Sequence, residues 1–256
     1  MNKQNDAVYP DLKGRTVFVS GGATGIGAAI VEAYALQGAK TAFVDLDESA
    51  GKALEKRLKK EGGEVRFEVC DITKVTDYQR VIRDAAEAFG LISVLLNNAA
   101  NDVRHSLESL TEARFDELVA VNMKHAMFAA QAVAPMMREL GGGSIINFGS
   151  VGWMMASAGY PTYGASKAAA HGLTRCLARD LGGDGIRVNT LVPGWVMTEK
   201  QLRLWVDDAA EEKIKQSQCL KGKVLPKHVA NMALFLGSDA AAMCSAQNFI
   251  VDGGWV

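Results

Sequence analysis

A tyrosine and a lysine four residues apart, Tyr163 and Lys167 in the segment YGASK, are suited by type and spacing to proton transfer. Residues i and i+4 of a helix share one face, so the lysine ammonium could favour the ionised form of the phenol. A phenol, whose pKa is ordinarily about 10, could then act as a base near neutral pH. Because exposed helices also contain this spacing by chance, its interpretation depends on the motifs that accompany it.

A glycine-rich turn directly follows the first predicted strand. In SGGATGIG, residues 20–27, Gly21, Gly25 and Gly27 have the spacing GxxxGxG and precede an apolar helix. Glycines allow the backbone to approach a pyrophosphate at a helix N-terminus. The spacing differs from GxGxxG, and a bare glycine turn need not bind phosphate. Its position between a strand and a helix nevertheless favours a dinucleotide site.

Two carboxylates could contact the adenosine half of such a cofactor. Asp45 ends the second predicted strand, where it could bind the ribose hydroxyls and repel a 2′-phosphate. Neither the glycine turn nor the residues immediately after Asp45 include Arg or Lys, so the sequence favours NAD over NADP. A turn residue at the strand end is the alternative for Asp45. Asp71, after the third strand, could contact adenine or cap a helix.

Strands and helices alternate along the chain, which predicts a parallel sheet covered by helices on both faces. The predicted strands are TVFVS, KTAFVD, EVRFEV, ISVLLN, SIINFG, IRVNTLV and NFIV. The predicted helices are Gly25 to Leu36, Ala50 to Glu61, Val75 to Phe89, Glu112 to Leu140, Pro161 to Leu181 and Pro226 to Leu236. We therefore expect one α/β domain over residues 1–256, a Rossmann-type doubly wound parallel sheet of seven strands. Residues 195–220 are a candidate substrate lid.

Composition restricts the possible partners. The chain of 256 residues has 28 Lys and Arg against 29 Asp and Glu, so no charge pattern indicates nucleic acid or an anionic membrane. Its four cysteines are widely spaced, which argues against a zinc site or a disulfide framework. The polar start MNKQNDAVYPDLKG is unlike a signal peptide, and no apolar run could span a bilayer. We expect a soluble cytoplasmic protein that binds a small molecule and needs no metal.

Seven segments occur in the order typical of one enzyme family. They are GGATGIG, Asp71, NNAA at 97–100, Asn122, Ser150, YGASK and PG at 193–194. From about Leu12 to Trp255 the chain resembles the short-chain dehydrogenase/reductases. Two positions depart from the family pattern: Ser20 stands where threonine is common, and Ala100 where glycine is common.

The resemblance implies a role for each matched residue. Tyr163 would be the general base in oxidation, Ser150 would hold the substrate oxygen, and Asn122 would order a water chain. Lys167 would lower the pKa of Tyr163 and bind the nicotinamide ribose, and Thr198 would bind the carboxamide. The alternatives are a turn residue for Ser150, a backbone-bonded helix residue for Asn122 and a helix N-cap for Thr198. The other cofactor contacts implied are Thr24, Ile26, Ile72, Asn98, Ala99, Pro193, Gly194 and Val196. The family also implies a homotetramer.

Loops 101–106, 151–160 and 194–220 would set the choice of substrate. They combine the polar residues Asn101, Asp102, Arg104, His105 and Gln201 with the aromatic residues Trp153, Tyr160, Trp195 and Trp205. All of these except Asp102 are candidates for substrate binding. Aromatic faces beside short polar groups suit a sugar, whereas a steroid or a long acyl chain would require a more uniformly apolar lining. Alternatively, Trp153 and Trp205 are packing or subunit-contact residues, Arg104 pairs with an acid, and His105 is an ordinary loop residue.

A narrower resemblance supports the sugar. The segments YPDLKG, NDVRH, VNMKHAMF, QAVAP, INFGS and QCLKGKVLP are similar to those of the bacterial members of this family that oxidise the anomeric carbon of D-xylose to a lactone. This implies an NAD-dependent aldose 1-dehydrogenase, with D-xylose first and L-arabinose, D-galactose or L-fucose next. Two alternatives stay open. One is an NAD-dependent dehydrogenase of a polyol, hydroxy acid or 3-hydroxyacyl thioester, and the other is a catalytically silent NAD-binding regulatory protein.

Overall fold

The computed structural model describes residues 7–256, so the first six residues of the N-terminal segment considered above lie outside it. Seven parallel strands form one sheet in the order β3-β2-β1-β4-β5-β6-β7. The strands are β1 Thr16–Ser20, β2 Lys40–Asp45, β3 Val65–Val69, β4 Ile92–Asn97, β5 Gly143–Phe148, β6 Ile186–Pro193 and β7 Asn248–Val251. The predicted seven-stranded Rossmann-type sheet is therefore confirmed.

Helices cover both faces of the sheet. The α-helices are α1 Gly25–Leu36, α2 Glu48–Lys60, α3 Val75–Phe89, α4 Glu112–Val119, α5 His125–Glu139, α6 Val151–Met154, α7 Pro161–Leu181, α8 Glu199–Leu204, α9 Asp208–Ser217 and α10 Pro226–Gly237. Three short 3-10 helices occupy Pro10–Leu12, Gly182–Asp184 and Asp239–Ala241. Two apolar cores result, one between the sheet and α1, α2 and α10, the other between the sheet and α3, α5 and α7.

The prediction of one continuous helix from Glu112 to Leu140 is wrong. A five-residue π-helical segment, Ala120–Lys124, separates α4 from α5. Such segments are common at functional sites because the wider turn redirects a side chain. Here the segment contains Asn122, which is buried. Its side chain bonds to the loop after β4 instead of to a neighbouring helical turn.

The segment 195–220 contains α8 and α9, which the apolar periodicity did not predict. The exact bounds of α1, α3 and α7 were predicted correctly. Across residues 7–256, none of the helices combines the length and the apolar character that a membrane crossing requires.

His125 is a buried titratable group between α5 and α3. Its ring lies 6.3 Å from the ring of Tyr78, measured between centroids, and the residue is 2% exposed. Burial, together with the nearby Lys167 ammonium, lowers the pKa of His125 to about 3. The imidazole therefore stays neutral in the folded protein at pH 5, whereas in the unfolded chain it takes up a proton below about pH 6.5.

We predict that His125→Leu makes the fold less sensitive to acid. Because the pKa is lowered by folding, the unfolded state binds more protons between pH 6.5 and 3, so wild-type stability falls as the pH falls through that range. From pH 7 to pH 5 this one group should cost the wild type about 2 kcal/mol. Urea unfolding at both pH values should show a correspondingly smaller loss for the variant. Equal losses would show that His125 is not the group responsible.

Candidate active site

The carboxyl ends of the strands open into one cleft of about 1500 Å³. Helix α7 presents Tyr163 and Lys167 to it, and Ser150 follows β5 at the same edge of the sheet. The Lys167 Nζ atom lies 5.7 Å from the centroid of the Tyr163 ring and donates a hydrogen bond of 2.8 Å to the Phe148 carbonyl. Ser150 also caps α6, because its Oγ atom accepts a hydrogen bond from the Gly152 N–H. The motif residues are thus brought together.

Burial controls the protonation of the catalytic pair. It raises the pKa of Tyr163 above its usual range, and this outweighs the lowering by the Ser150 hydrogen bond and the Arg104 charge. Burial also lowers the pKa of Lys167 to about 8, with the Asp102 charge acting in the opposite direction. The expectation that Lys167 leaves Tyr163 with a lowered pKa is therefore not met in this structure. The cost of removing a phenolate from water is the dominant effect.

Asn122 lies behind the cleft and does not line it. Its Oδ1 atom accepts a hydrogen bond of 2.8 Å from the Asn101 N–H, and its Nδ2 atom donates one of 3.0 Å to the Asn101 carbonyl. Both side-chain atoms thus fix the backbone of the loop after β4. This is the backbone-bonded alternative considered above, although the loop it holds is part of the cleft wall.

The glycine turn has no space for side chains at Gly21 and Gly27, two of its closely packed positions. Gly21 has a φ of +67°, and a Cβ atom there would lie 2.8 Å from the Ala99 Cα atom. A Cβ atom on Gly27 would lie 1.8 Å from the Gly21 carbonyl oxygen. Asn98 holds the turn from β4, since its Nδ2 atom donates to the carbonyls of Ser20 and Gly21 at 3.0 and 2.9 Å. The turn is therefore closely packed against the end of β4.

The serine that departs from the family pattern has a structural role at this junction. The Ser20 Oγ atom accepts a hydrogen bond of 3.1 Å from the Ala99 N–H, and it donates one of 3.4 Å to the Leu96 carbonyl. Both contacts connect β1 to β4. A hydroxyl group is what these contacts require, and serine supplies it.

The two adenosine-side carboxylates both line the cleft. Asp45 accepts hydrogen bonds from the backbone N–H groups of Ala23, at 3.0 Å, and Asp47, at 3.1 Å. It therefore connects the end of β2 to the glycine turn. Asp71 accepts hydrogen bonds from the N–H and the hydroxyl of Thr73 at 3.0 and 2.7 Å. The N-cap position of α3 is occupied by Lys74. Asp71 is accordingly part of a turn and is not the N-cap of α3.

Every residue proposed above to contact the cofactor lines the cleft. Besides Tyr163 and Lys167, these are Gly21, Thr24, Gly25, Ile26, Gly27, Asp45, Asp71, Ile72, Asn98, Ala99, Pro193, Gly194, Val196 and Thr198. Thr198 is also the N-cap of α8, because its Oγ1 atom accepts a hydrogen bond of 3.2 Å from the Gln201 N–H. The capping and cofactor interpretations of Thr198 are thus compatible.

The proposed substrate residues divide into two groups. Those that line the cleft are Asn101, Arg104, Ser150, Tyr160, Tyr163, Trp195 and Gln201. Those that do not are His105, Trp153 and Trp205. His105 bonds to the start of α7, with Nε2 at 3.2 Å from the Thr162 hydroxyl. Trp205 lies behind Arg104, whose guanidinium carbon is 5.0 Å from the centroid of its ring.

Trp153 packs against α7, stays 37% exposed and does not line the cleft, so the structure does not support its assignment to the substrate. Its ring meets His171 of α7 edge-on, with centroids 5.1 Å apart. The residue lies on α6. Packing had been the alternative for this residue, and its geometry agrees with that alternative.

Several cleft residues were missing from the sequence-based set. They include Asp102, Met155, Ala158, Lys200, Arg203 and Trp255. Asp102 was recognised among the polar loop residues but was not named as a substrate contact. Trp255, by contrast, reaches the cleft only through the folding of the C-terminal segment, where its ring lies 6.3 Å from that of Trp195. No local pattern predicts that contact.

The residues present fit a nicotinamide dinucleotide. The first turn of α1 lines the cleft, and its N-cap residue Thr24 makes no side-chain capping bond, so backbone N–H groups are available to a pyrophosphate. Asp45, at the end of β2, lines the same cleft as Tyr163 and Lys167. The doubly wound sheet and this site together define an oxidoreductase of the nicotinamide-dependent class. The chain belongs to the short-chain dehydrogenase/reductase family.

Comparisons with known proteins agree with this assignment. A family model described as "Enoyl-(Acyl carrier protein) reductase" matches residues 21–256. The chain is 41% identical over 251 residues to a D-xylose 1-dehydrogenase of Caulobacter vibrioides, covering 98% of this chain and 99% of that relative. It is 42% identical over 247 residues to a probable galactose dehydrogenase of Rhizobium meliloti, covering 96% of each.

Solved structures show the same architecture. A putative NAD(P)-dependent gluconate 5-dehydrogenase from Beutenbergia cavernae, described with bound NADP at low occupancy, has a TM-score of 0.89 with this chain. The two are 31% identical, and the match covers 96% of this chain and 98% of that one. The fold is thus shared with dehydrogenases that use nicotinamide cofactors.

We predict that Gly27→Ala abolishes measurable cofactor binding. Since a Cβ atom would lie 1.8 Å from the Gly21 carbonyl oxygen, the turn and the start of α1 must separate. Gly172→Ala is the matched control, because a Cβ atom on this helical glycine meets nothing within 4 Å. The control should bind normally and gain about 0.5–1 kcal/mol of stability. Calorimetric titration with NAD and NADP checks both; normal binding by Gly27→Ala would contradict the packing argument.

Proposed function

We propose that this protein is an NAD-dependent aldose 1-dehydrogenase that oxidises the anomeric carbon of a pyranose to a lactone. One observation carries the proposal. The half-buried Tyr163 and Ser150 and the buried Lys167 line a cleft that also contains aromatic rings, amide groups and charged groups. Such a lining can stack on the C–H face of a sugar while it hydrogen-bonds the hydroxyls.

The chain's own residues account for the proton chemistry. Nicotinamide, when bound, accepts the hydride that leaves the anomeric carbon. Tyr163 takes the proton of the anomeric hydroxyl, and Ser150, whose hydroxyl lowers the pKa of Tyr163, holds the sugar oxygen beside it. Lys167, with a pKa of about 8, carries a positive charge at neutral pH and favours the tyrosinate while it forms. Loss of one proton and one hydride converts the cyclic hemiacetal into the lactone.

Two relatives support a sugar as the substrate. The names of the Caulobacter and Rhizobium proteins refer to D-xylose and galactose, and both proteins match almost the whole chain. Trp195 and Tyr160 supply aromatic surface in the cleft, and Gln201 supplies an amide. We place D-xylose first, followed by L-arabinose, D-galactose and L-fucose.

The preference for NAD is supported by Asp45. The first strand ends in the glycine turn and the second in this carboxylate, whose backbone hydrogen bonds hold it against the turn at Ala23. A fixed negative charge at this place repels a ribose 2′-phosphate and accepts hydrogen bonds from ribose hydroxyls.

We extend the proposal to the assembly, the location and the lid. Large apolar side chains are exposed on α4 and α5, where Phe115 is 46% and Met127 45% exposed. In a homotetramer of the cytoplasmic protein, contacts between subunits would remove this apolar surface from water. A measurement of the molecular mass in solution tests whether the protein is a tetramer. Residues 195–220, with α8 and α9, would close over the substrate; proteolysis there that is insensitive to NAD and sugar would contradict closure.

We predict that the protein reduces NAD with one or a few aldoses. Absorbance of the reduced cofactor should be followed across pentoses, hexoses, 6-deoxyhexoses, polyols, hydroxy acids and 3-hydroxyacyl thioesters, with NAD and NADP separately. Tyr163→Phe is the control and should lose nearly all turnover while it binds NAD within a few fold. Activity confined to polyols, acids or thioesters would reject the sugar, and inactivity on every substrate would favour a regulatory protein.

We predict that Asp45→Ala lowers the ratio of kcat/KM for NAD to that for NADP by about tenfold or more, since the repulsion of a 2′-phosphate is lost. The ratio is the informative quantity because Asp45 also supports the glycine turn, whose distortion would weaken both cofactors. Glu48→Ala removes an exposed carboxylate nearby on α2 and should leave the ratio unchanged. An unchanged ratio in Asp45→Ala would mean that Asp45 does not distinguish the cofactors.

A further inference from the structure

The loop after β4 carries two opposite charges. Asp102 and Arg104 follow β4, and both line the cleft. Because Asn122 fixes the backbone of Asn101 on both its N–H and carbonyl sides, the loop begins from a rigid point. Both side chains therefore extend from a well-defined backbone. The Asp102 carboxylate is a hydrogen-bond acceptor, and the Arg104 guanidinium is a donor.

Asp102 is held from the opposite wall of the cleft. Its Oδ1 atom accepts a hydrogen bond of 2.5 Å from Lys200 Nζ, and its Oδ2 atom accepts one of 3.2 Å from Gln201 Nε2. Gln201 is itself oriented, since its Oε1 atom accepts a bond of 3.0 Å from the indole of Trp195. Each carboxylate oxygen has acceptor capacity for a second bond. The Asp102 side chain is 26% exposed, so the carboxylate remains accessible.

Arg104 is held by stacking. Its guanidinium carbon lies 3.9 Å from the centroid of the Tyr160 ring and 5.0 Å from that of Trp205. One hydrogen bond of 3.1 Å, donated by Nη1 to the Ala158 carbonyl, fixes its rotation. Stacking of this kind orients the planar fork while most of its five N–H donors remain available to other acceptors.

The pair is close to the reacting group. The ring of Tyr160, on which Arg104 stacks, lies 5.2 Å from that of Tyr163 between centroids. The charges of Asp102 and Arg104 also act on Tyr163 in opposite directions, since Asp102 raises the pKa of the phenol and Arg104 lowers it. A sugar whose anomeric hydroxyl meets Tyr163 would thus place other hydroxyls within reach of this loop.

We propose that Asp102 and Arg104 form an acceptor–donor pair that binds hydroxyls of the sugar ring, and that Asp102 is a specificity-determining residue of the site. The inference rests on the proposed function and adds the residues that distinguish one sugar from another. Asp102 accepts from one hydroxyl, and Arg104 donates to the oxygen of another. A carboxylate held by Lys200 and Gln201 distinguishes a hydroxyl from a hydrogen at the carbon it faces, because the analogue without the hydroxyl leaves a lone pair unpaired.

The test is a cycle between protein variants and deoxy sugars. The wild type, Asp102→Asn and Lys200→Met are assayed with NAD on the preferred aldose and on its 2-, 3- and 4-deoxy analogues. Asp102→Asn should lower kcat/KM on the parent sugar by about 10- to 100-fold, chiefly through KM, which is the range expected for a hydrogen bond to a charged group. On the one analogue that lacks the hydroxyl bound by Asp102, the wild type and the variant should differ by less than about threefold.

Lys200→Met breaks the ion pair and keeps the carboxylate, so its loss should be smaller than that of Asp102→Asn and similar on all analogues. Asp102→Glu, which keeps the charge, serves if Asp102→Asn does not fold, and its loss should also vanish on one analogue only. A penalty that is the same on every analogue, or a Lys200→Met effect equal to that of Asp102→Asn, would show that Asp102 only connects the loop to α8. A wild type inactive on all aldoses would instead reject the proposed function itself.

Discussion

A buried chain of hydrogen bonds across the sheet determines where the catalytic residues lie. Parallel pairing of β4 with β5 sets Asn97 beside Asn147, and the Asn97 Nδ2 atom donates to the Asn147 Oδ1 atom at 2.9 Å. Asn147 in turn donates to Thr174 of α7 at 3.0 Å, and Thr190 of β6 donates to Thr174 at 2.8 Å. Because buried polar groups are costly when unpaired, these hydrogen bonds fix the register of β4, β5 and β6 and the position of α7 against them. Tyr163 lies on the same helix, so its distance from the strand ends is fixed as well.

The site combines this rigid support with charges that burial makes costly. Burial disfavours the ionised forms of Tyr163 and Lys167, so it raises the pKa of Tyr163 and lowers the pKa of Lys167. Ser150 and Arg104 act in the opposite direction on Tyr163. The pKa of the Tyr163 phenol is therefore influenced by Asp102 and Arg104, two charged residues of the loop after β4.

Elements with strong apolar periodicity and sites with several motifs could be predicted from the sequence, whereas contacts between distant segments could not. The bounds of α1, α3 and α7 follow from apolar periodicity and from glycine and proline signals. The π-helical segment at Asn122 was missed because its spacing of apolar residues resembles that of a continuous helix. Helices α8 and α9 were missed because few of their residues are buried. Asp102 was not named as a substrate contact, and Trp153 was assigned to the substrate although it packs on α7, because the direction of a side chain depends on its tertiary neighbours.

The central claim is that hydride leaves the anomeric carbon of a sugar in this cleft. An aldose deuterated at C1 tests it most directly, with mass spectrometry of the cofactor after a single turnover. We expect one deuterium in the reduced cofactor, a lactone or its hydrolysed acid as product, and a slower chemical step than with the unlabelled sugar. Reduced cofactor without deuterium would show that another carbon is oxidised and would contradict the assignment.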